Sequence, residues 1–185
     1  MKSNIKFFFW GILAAAGALV LEILLSIIFP SMINPALETQ LSSTLIVLVL
    51  VEEILAFIFV WKMAAQASEK NLIFPQAMLI GLGFSAAEII QNAALYPYLS
   101  SFLLSVYAGL LLVHTVTALV YGYTFMLRGI SITKTWPAFL IGIVIHFLFN
   151  AAIIGNVNYW LLDGILLIFG VFLCLRYLKT KSLSK

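Results

Sequence analysis

The chain has 185 residues, 64% of them hydrophobic and only 9% charged, with a mean hydropathy of +1.15. A soluble globular domain is about half apolar and about a quarter charged, so the composition excludes one. The net charge of +3 comes from lysines and arginines between the apolar runs, where it bears on topology and gives no sign of a nucleic-acid partner.

A chain in lipid must satisfy its own backbone hydrogen bonds, which leaves helices or a closed barrel. Barrel strands alternate apolar and polar at every second residue, whereas these runs are apolar on all sides for about twenty residues, as membrane-spanning helices are. The first, about 7–29, follows Lys2 and Lys6. Its apolar core is too long for a signal peptide and no small-residue cleavage site ends it, so it reads as a retained span. It carries Glu22, ~22 Å along the helix, expected to be structural or peripheral. The second, about 41–63, contains LIVLVLVEEILAFIFVW (45–61), with Glu52 and Glu53 side by side among apolar residues. The third, about 75–95, carries Ser85, read as a packing residue, and a polar stripe of Glu88, Gln91 and Asn92. The fourth, about 101–127, has His114 followed by Thr117 and Tyr121 at i+3 and i+7. The fifth, about 136–155, has His146 with Asn150 one turn on, hence on the same face. The sixth, about 159–177, carries Asp163 near its outer edge, expected at the interface, and the single cysteine, Cys174, expected to act as a small hydrophobe.

All five prolines (Pro30, Pro35, Pro75, Pro97 and Pro137) fall in this reading at span edges or in connections. Trp10, Trp136 and Trp160 read as interfacial anchors. Every basic residue falls on one side: Lys2 and Lys6, then Lys62 and Lys70, then Arg128 and Lys134, then Arg176, Lys179, Lys181 and Lys185. The opposite connections, 30–40, 96–100 and 156–158, contain none. Positively charged loops stay in the cytoplasm, so both termini are expected there. The expected architecture is all-α: one domain over 1–185, a bundle of about six transmembrane helices in a prokaryotic cell membrane, with its polar motifs within 45–155.

Depth connects those motifs. At ~1.5 Å per residue, Glu52 lies ~17 Å from the outer end of its span and Glu88 ~20 Å from the inner end of its own. His114 lies ~20 Å from the outside and His146 ~15 Å from the inside. In a hydrocarbon layer ~30 Å thick, four helices carry ionisable groups to the middle third. A central Asp, Lys or Arg costs ~2.5–3.5 kcal/mol on insertion scales, and such groups mark functional paths. A shared hydrated cavity is the economical explanation. Neighbouring helical residues point ~100° apart, so one of Glu52 and Glu53 should face the cavity centre while the other reaches a neighbouring helix.

The pieces VEEILAF (51–57), GLGFSAAEIIQN (81–92), HTVTALVYGY (114–123) and HFLFNA (146–151) together resemble the PrsW-type glutamic intramembrane proteases, related to the CPBP (CAAX protease and Abi) superfamily. Where those proteins carry a lysine or arginine after the glutamate pair, this chain has Ala56 and Phe57. The resemblance implies a membrane-embedded endopeptidase acting on a membrane-anchored or lipid-modified protein or peptide, with Glu52, Glu53, Glu88, His114, His146 and Asn150 in the site. Peptide hydrolysis needs a base for water, an acid for the leaving amine and donors for the oxyanion. A glutamate supplies the base, a histidine relays the proton, and Asn150 with the second histidine can donate to the oxyanion. Glutamate catalysis without a cofactor is the first reading. A zinc ion held by Glu88, His114 and His146 is the alternative, assembled across helices because no H-E-x-x-H occurs. The competing function classes are a non-catalytic membrane scaffold and a proton-coupled transporter.

Overall fold

A computed structural model of the protein describes residues 5–30, 43–95, 101–155 and 159–183; Pro35 and Pro97 lie outside them. The described residues form six helices: α1 (Ile5–Ile28), α2 (Ser43–Gln66), α3 (Lys70–Leu95), α4 (Ser101–Arg128), α5 (Ile132–Ile154) and α6 (Tyr159–Leu183). The shortest has 23 residues and the longest 28, or ~34 to ~42 Å of helix. All six are long and apolar enough to cross a bilayer. The protein is an all-α, multi-pass membrane bundle.

Two helices begin about a turn before the expected spans. α3 starts at Lys70 and α5 at Ile132, so Pro75 and Pro137 lie inside helices, which corrects their placement at the edges. Pro75 has no N–H for the carbonyl one turn back, that of Asn71. The Tyr177 hydroxyl of α6 donates to this oxygen at 2.9 Å. The freed acceptor has become an interhelical tie.

In lipid, burying apolar side chains drives helices together only weakly, and close packing through small residues takes over. α1 buries one stripe, Phe7, Gly11, Ala14 and Ala18, and lays it on α3. A Cβ on Gly11 would run into the backbone of Ile80, and one on Gly83 into the Phe8 carbonyl, so these two glycines permit that crossing. Gly81, pointing elsewhere on α3, lies against the His114 carbonyl of α4. Beside it the Ser85 hydroxyl donates to the Gly81 carbonyl at 2.9 Å and lies 3.2 Å from that of Leu110. The GLGFS stretch thereby fixes α4 against α3.

α5 buries Thr135, Ala138, Gly142, His146 and Phe149 along one face and exposes Leu140, Ile141, Val144 and Leu148 on the other. α6 likewise presents Ile165, Ile168, Phe172 and Leu175 outward, as lipid-facing surfaces do. Trp136 and Trp160 are exposed, but Trp10 is turned into the bundle, edge-on to Phe7 at 5.5 Å and Phe59 at 6.1 Å. Asp163, near the outer end of α6 as expected, is only 6% exposed, with its carboxyl over Gly109 of α4. The first turns of α6 lean on α4, which turns Asp163 into the bundle.

Candidate active site

The glutamate pair of α2 meets α5 at a single imidazole. The Nδ1–H of His146 donates to Glu53 Oε1 at 2.9 Å, and its Nε2 lies 3.1 Å from Glu52 Oε2. The second contact is close enough for an ion pair but off-line for a hydrogen bond, since neither atom has a hydrogen-bond partner. Both carboxylates therefore reach His146, from opposite edges of the ring. The ~100° between adjacent side chains puts them on the two sides of the ring instead of separating their targets.

Glu53 is fully buried, and its second oxygen accepts the Tyr121 hydroxyl of α4. With both oxygens engaged, it is a fixed support for His146. Gly142, one turn before His146, leaves room for this arrangement. A Cβ there would overlap the Tyr121 hydroxyl and come within 2.9 Å of Glu53 Oε2.

The second histidine is held in parallel fashion. Nε2 of His114 pairs with Glu88 Oε2 of α3, and its ring stacks on Phe84, centroids 4.4 Å apart. The two imidazoles then meet edge to face, with centroids 4.8 Å apart. Each histidine thus has one nitrogen hydrogen-bonded to a carboxylate, while the other is buried without a hydrogen-bond partner: His114 Nδ1, and His146 Nε2, which faces Glu52 Oε2 at 3.1 Å. Burying a polar atom unpaired costs about 1–3 kcal/mol, so such a pair in one place points to a site.

The structure brings together Glu52, Glu53, Glu88, His114 and His146. Asn150, partly buried one turn outward of His146, is joined to none of them among the described residues. Donor atoms of Glu52, His114 and His146 lie within 4.8 Å of one another. Those three could hold a metal ion, whereas Glu88, the carboxylate of the alternative zinc reading, pairs with His114.

Two further residues belong to the constellation. Tyr121 stood out in the sequence only as a member of the stripe below His114, and Glu22 was expected to be structural or peripheral. α1 in fact brings Glu22 within hydrogen-bonding reach of Glu52. Depth alone could have raised it, since its height matches the outer part of the polar stripe on α3. Below the cluster, on the side of the basic helix ends, Phe57 packs on Tyr121, Phe125 and Phe139 with centroids 5.2, 5.3 and 5.2 Å away. Phe57 is the centre of this aromatic floor. On the other side Glu88 and Glu52 keep 20% and 17% side-chain exposure.

The fold and this centre define a multi-pass membrane protein with a buried glutamate–histidine cluster. No family model, curated protein or solved structure matches the chain.

Proposed function

We propose that the protein is an intramembrane endopeptidase that hydrolyses a peptide bond in a membrane-anchored or lipid-modified substrate. The observation that carries this reading is the meeting of three carboxylates and two imidazoles from four helices, with no lysine or arginine paired to them among the described residues. Groups so costly to hold in a membrane interior serve a reaction or a path. The resemblance of the four motif pieces to PrsW-type proteases selects peptide over other substrates.

In this reading, water sits among Glu52, His114 and His146. It loses a proton to the cluster as its oxygen adds to the scissile carbonyl, and the proton passes to the leaving nitrogen as the C–N bond breaks. Glu53 and Tyr121 fix His146, and Glu88 fixes His114. Asn150, one turn outward, is the amide donor for the oxyanion. The residues also fit a metal ion, through the unpaired nitrogens already described.

The test is cleavage of single-span substrates co-expressed with the wild type, Glu52→Gln, His114→Ala and His146→Ala. Glu→Gln nearly conserves volume, so Glu52→Gln should lose cleavage by two or more orders of magnitude while its melting temperature changes little. Cleavage at the wild-type rate by Glu52→Gln and His146→Ala, or no cleavage by the wild type across the substrate panel, overturns the reading. In the latter case proton-coupled transport or a scaffold role takes its place.

A further inference from the structure

The supported histidines and the unpaired atoms facing Glu52 have a common explanation. The geometry points to a divalent metal site of the zinc class, with Glu52, His114 and His146 as its three protein ligands and Glu53 and Glu88 as the carboxylates that orient the two imidazoles. This rests on the same centre as the proposed peptidase and says what that centre binds.

Three observations converge on it. First, each of the three residues has a buried donor atom without a hydrogen-bond partner: His114 Nδ1, and Glu52 Oε2 and His146 Nε2, which face each other at 3.1 Å. These are lone-pair atoms of the kinds that zinc takes. Second, donor atoms of these residues already lie within 4.8 Å of one another. Four ligands at bonds of ~2.0–2.1 Å in a tetrahedron sit about 3.3 Å apart, so small side-chain rotations close the set. Third, the opposite edge of each imidazole is held by a carboxylate: His146 Nδ1 by Glu53 at 2.9 Å and His114 Nε2 by Glu88. A ligating histidine almost always donates its other N–H in this way, which fixes the tautomer and aims the lone pair. Glu53 is itself held by Tyr121, so the support extends one residue further.

Charge is compatible with it. Glu22, Glu52, Glu53 and Glu88 gather around two imidazoles, and a low-dielectric interior tolerates such a set only when its carboxyls take up protons or its charge is compensated. A divalent cation at the point where the donors converge would supply that compensation. Two histidines and one carboxylate with a fourth position left over is the ligand count of a catalytic site, whereas structural zinc sites are closed by four protein ligands.

Full-length protein purified in detergent, stripped with chelator and titrated with zinc or cobalt tests this directly. The wild type should bind one ion per chain. Cobalt should give the intense visible bands of a four-coordinate site, and the X-ray absorption of the zinc form should show two imidazoles in its first shell. Glu52→Gln, His114→Ala and His146→Ala should each weaken zinc binding at least 100-fold, whereas Glu53→Gln and Glu88→Gln should weaken it about 10–100-fold with the one-to-one stoichiometry kept. The wild-type measurements need no variant to fold. Failure of the wild type to bind either ion, or a zinc spectrum without imidazole, overturns the site. So does binding that is unchanged in Glu52→Gln and His146→Ala. Substrate cleavage by chelator-stripped, metal-free protein would remove the metal while leaving the peptidase standing. One zinc per chain with no cleavage of any substrate would do the reverse.

Discussion

At the scale of single residues, the centre depends on two positions that carry no charge. Tyr121 gives Glu53 its second hydrogen bond, and Gly142 leaves the space in which that bond forms. Tyr121→Phe leaves a buried carboxylate oxygen unpaired and should destabilise the protein by about 1–3 kcal/mol. It should also loosen His146 and lower cleavage about tenfold. Gly142→Ala should be worse, because the added methyl would overlap both the hydroxyl and the ring carbon that bears it. Thermal unfolding and cleavage rate, measured on both variants, check the order; equal or better activity in Gly142→Ala would contradict it. Apart from Glu22, the ionisable members of the site were legible in the sequence because charge in an apolar run is expensive wherever the helix turns. Tyr121 was not singled out, since one end of a tyrosine is apolar and membrane helices use it as ordinary packing. Gly142 was silent for a different reason: it acts through the absence of atoms.

At the scale of elements, the number, type and approximate extent of the helices followed from the apolar runs and the spacing of the basic residues. Starts were harder to read. A proline in the second turn looks like a boundary, yet α3 and α5 both begin before theirs; in α3 a tertiary partner, the Tyr177 hydroxyl, answers the carbonyl the proline leaves free. The choice of partner for each carboxylate was also hidden. Glu53 with His146 and Glu88 with His114 depend on which helices are neighbours and how each is rotated, and a period of 3.6 gives the face without naming what it meets. The tie between Tyr177 and Asn71 gives this a measurable form. Tyr177→Phe should cost about 1 kcal/mol in the wild type. In Pro75→Ala, where the restored N–H can take the Asn71 carbonyl, the same change should cost clearly less. A double-mutant cycle on unfolding in detergent reads the difference, and identical costs in both backgrounds would show that the proline and the tyrosine are independent.

At the scale of the molecule, the site has a closed side and a more open one. Phe57, Phe125 and Phe139 fill the bundle toward the basic helix ends, while the partly exposed Glu52 and Glu88, with Gln91 and Asn92 beyond them, lie toward the other. Basic ends mark the cytoplasmic face, so the route to the centre should run from the extracytoplasmic side. In a Cys174→Ser background, which removes the single native cysteine, Asn92→Cys should react with a membrane-impermeant thiol reagent added to intact cells. Lys70→Cys and Lys134→Cys should react only after the membrane is opened, and Ala138→Cys, beneath the aromatic floor, should stay protected from both sides. Labelling of Lys134→Cys in intact cells with none at Asn92→Cys would invert the orientation.

The aromatic floor also has an electrical consequence. A group reached from one side only shares the potential of that side, and most of the transmembrane voltage then falls across whatever separates it from the other. With three phenylalanines between the glutamate–histidine cluster and the basic helix ends, the cluster should exchange ions and protons with the exterior while the inner half of the bundle carries the field. Its occupancy should follow the composition of the outer medium and stay indifferent both to cytoplasmic acidification and to depolarisation. The bundle can hold several ionisable groups at mid-membrane without becoming a leak.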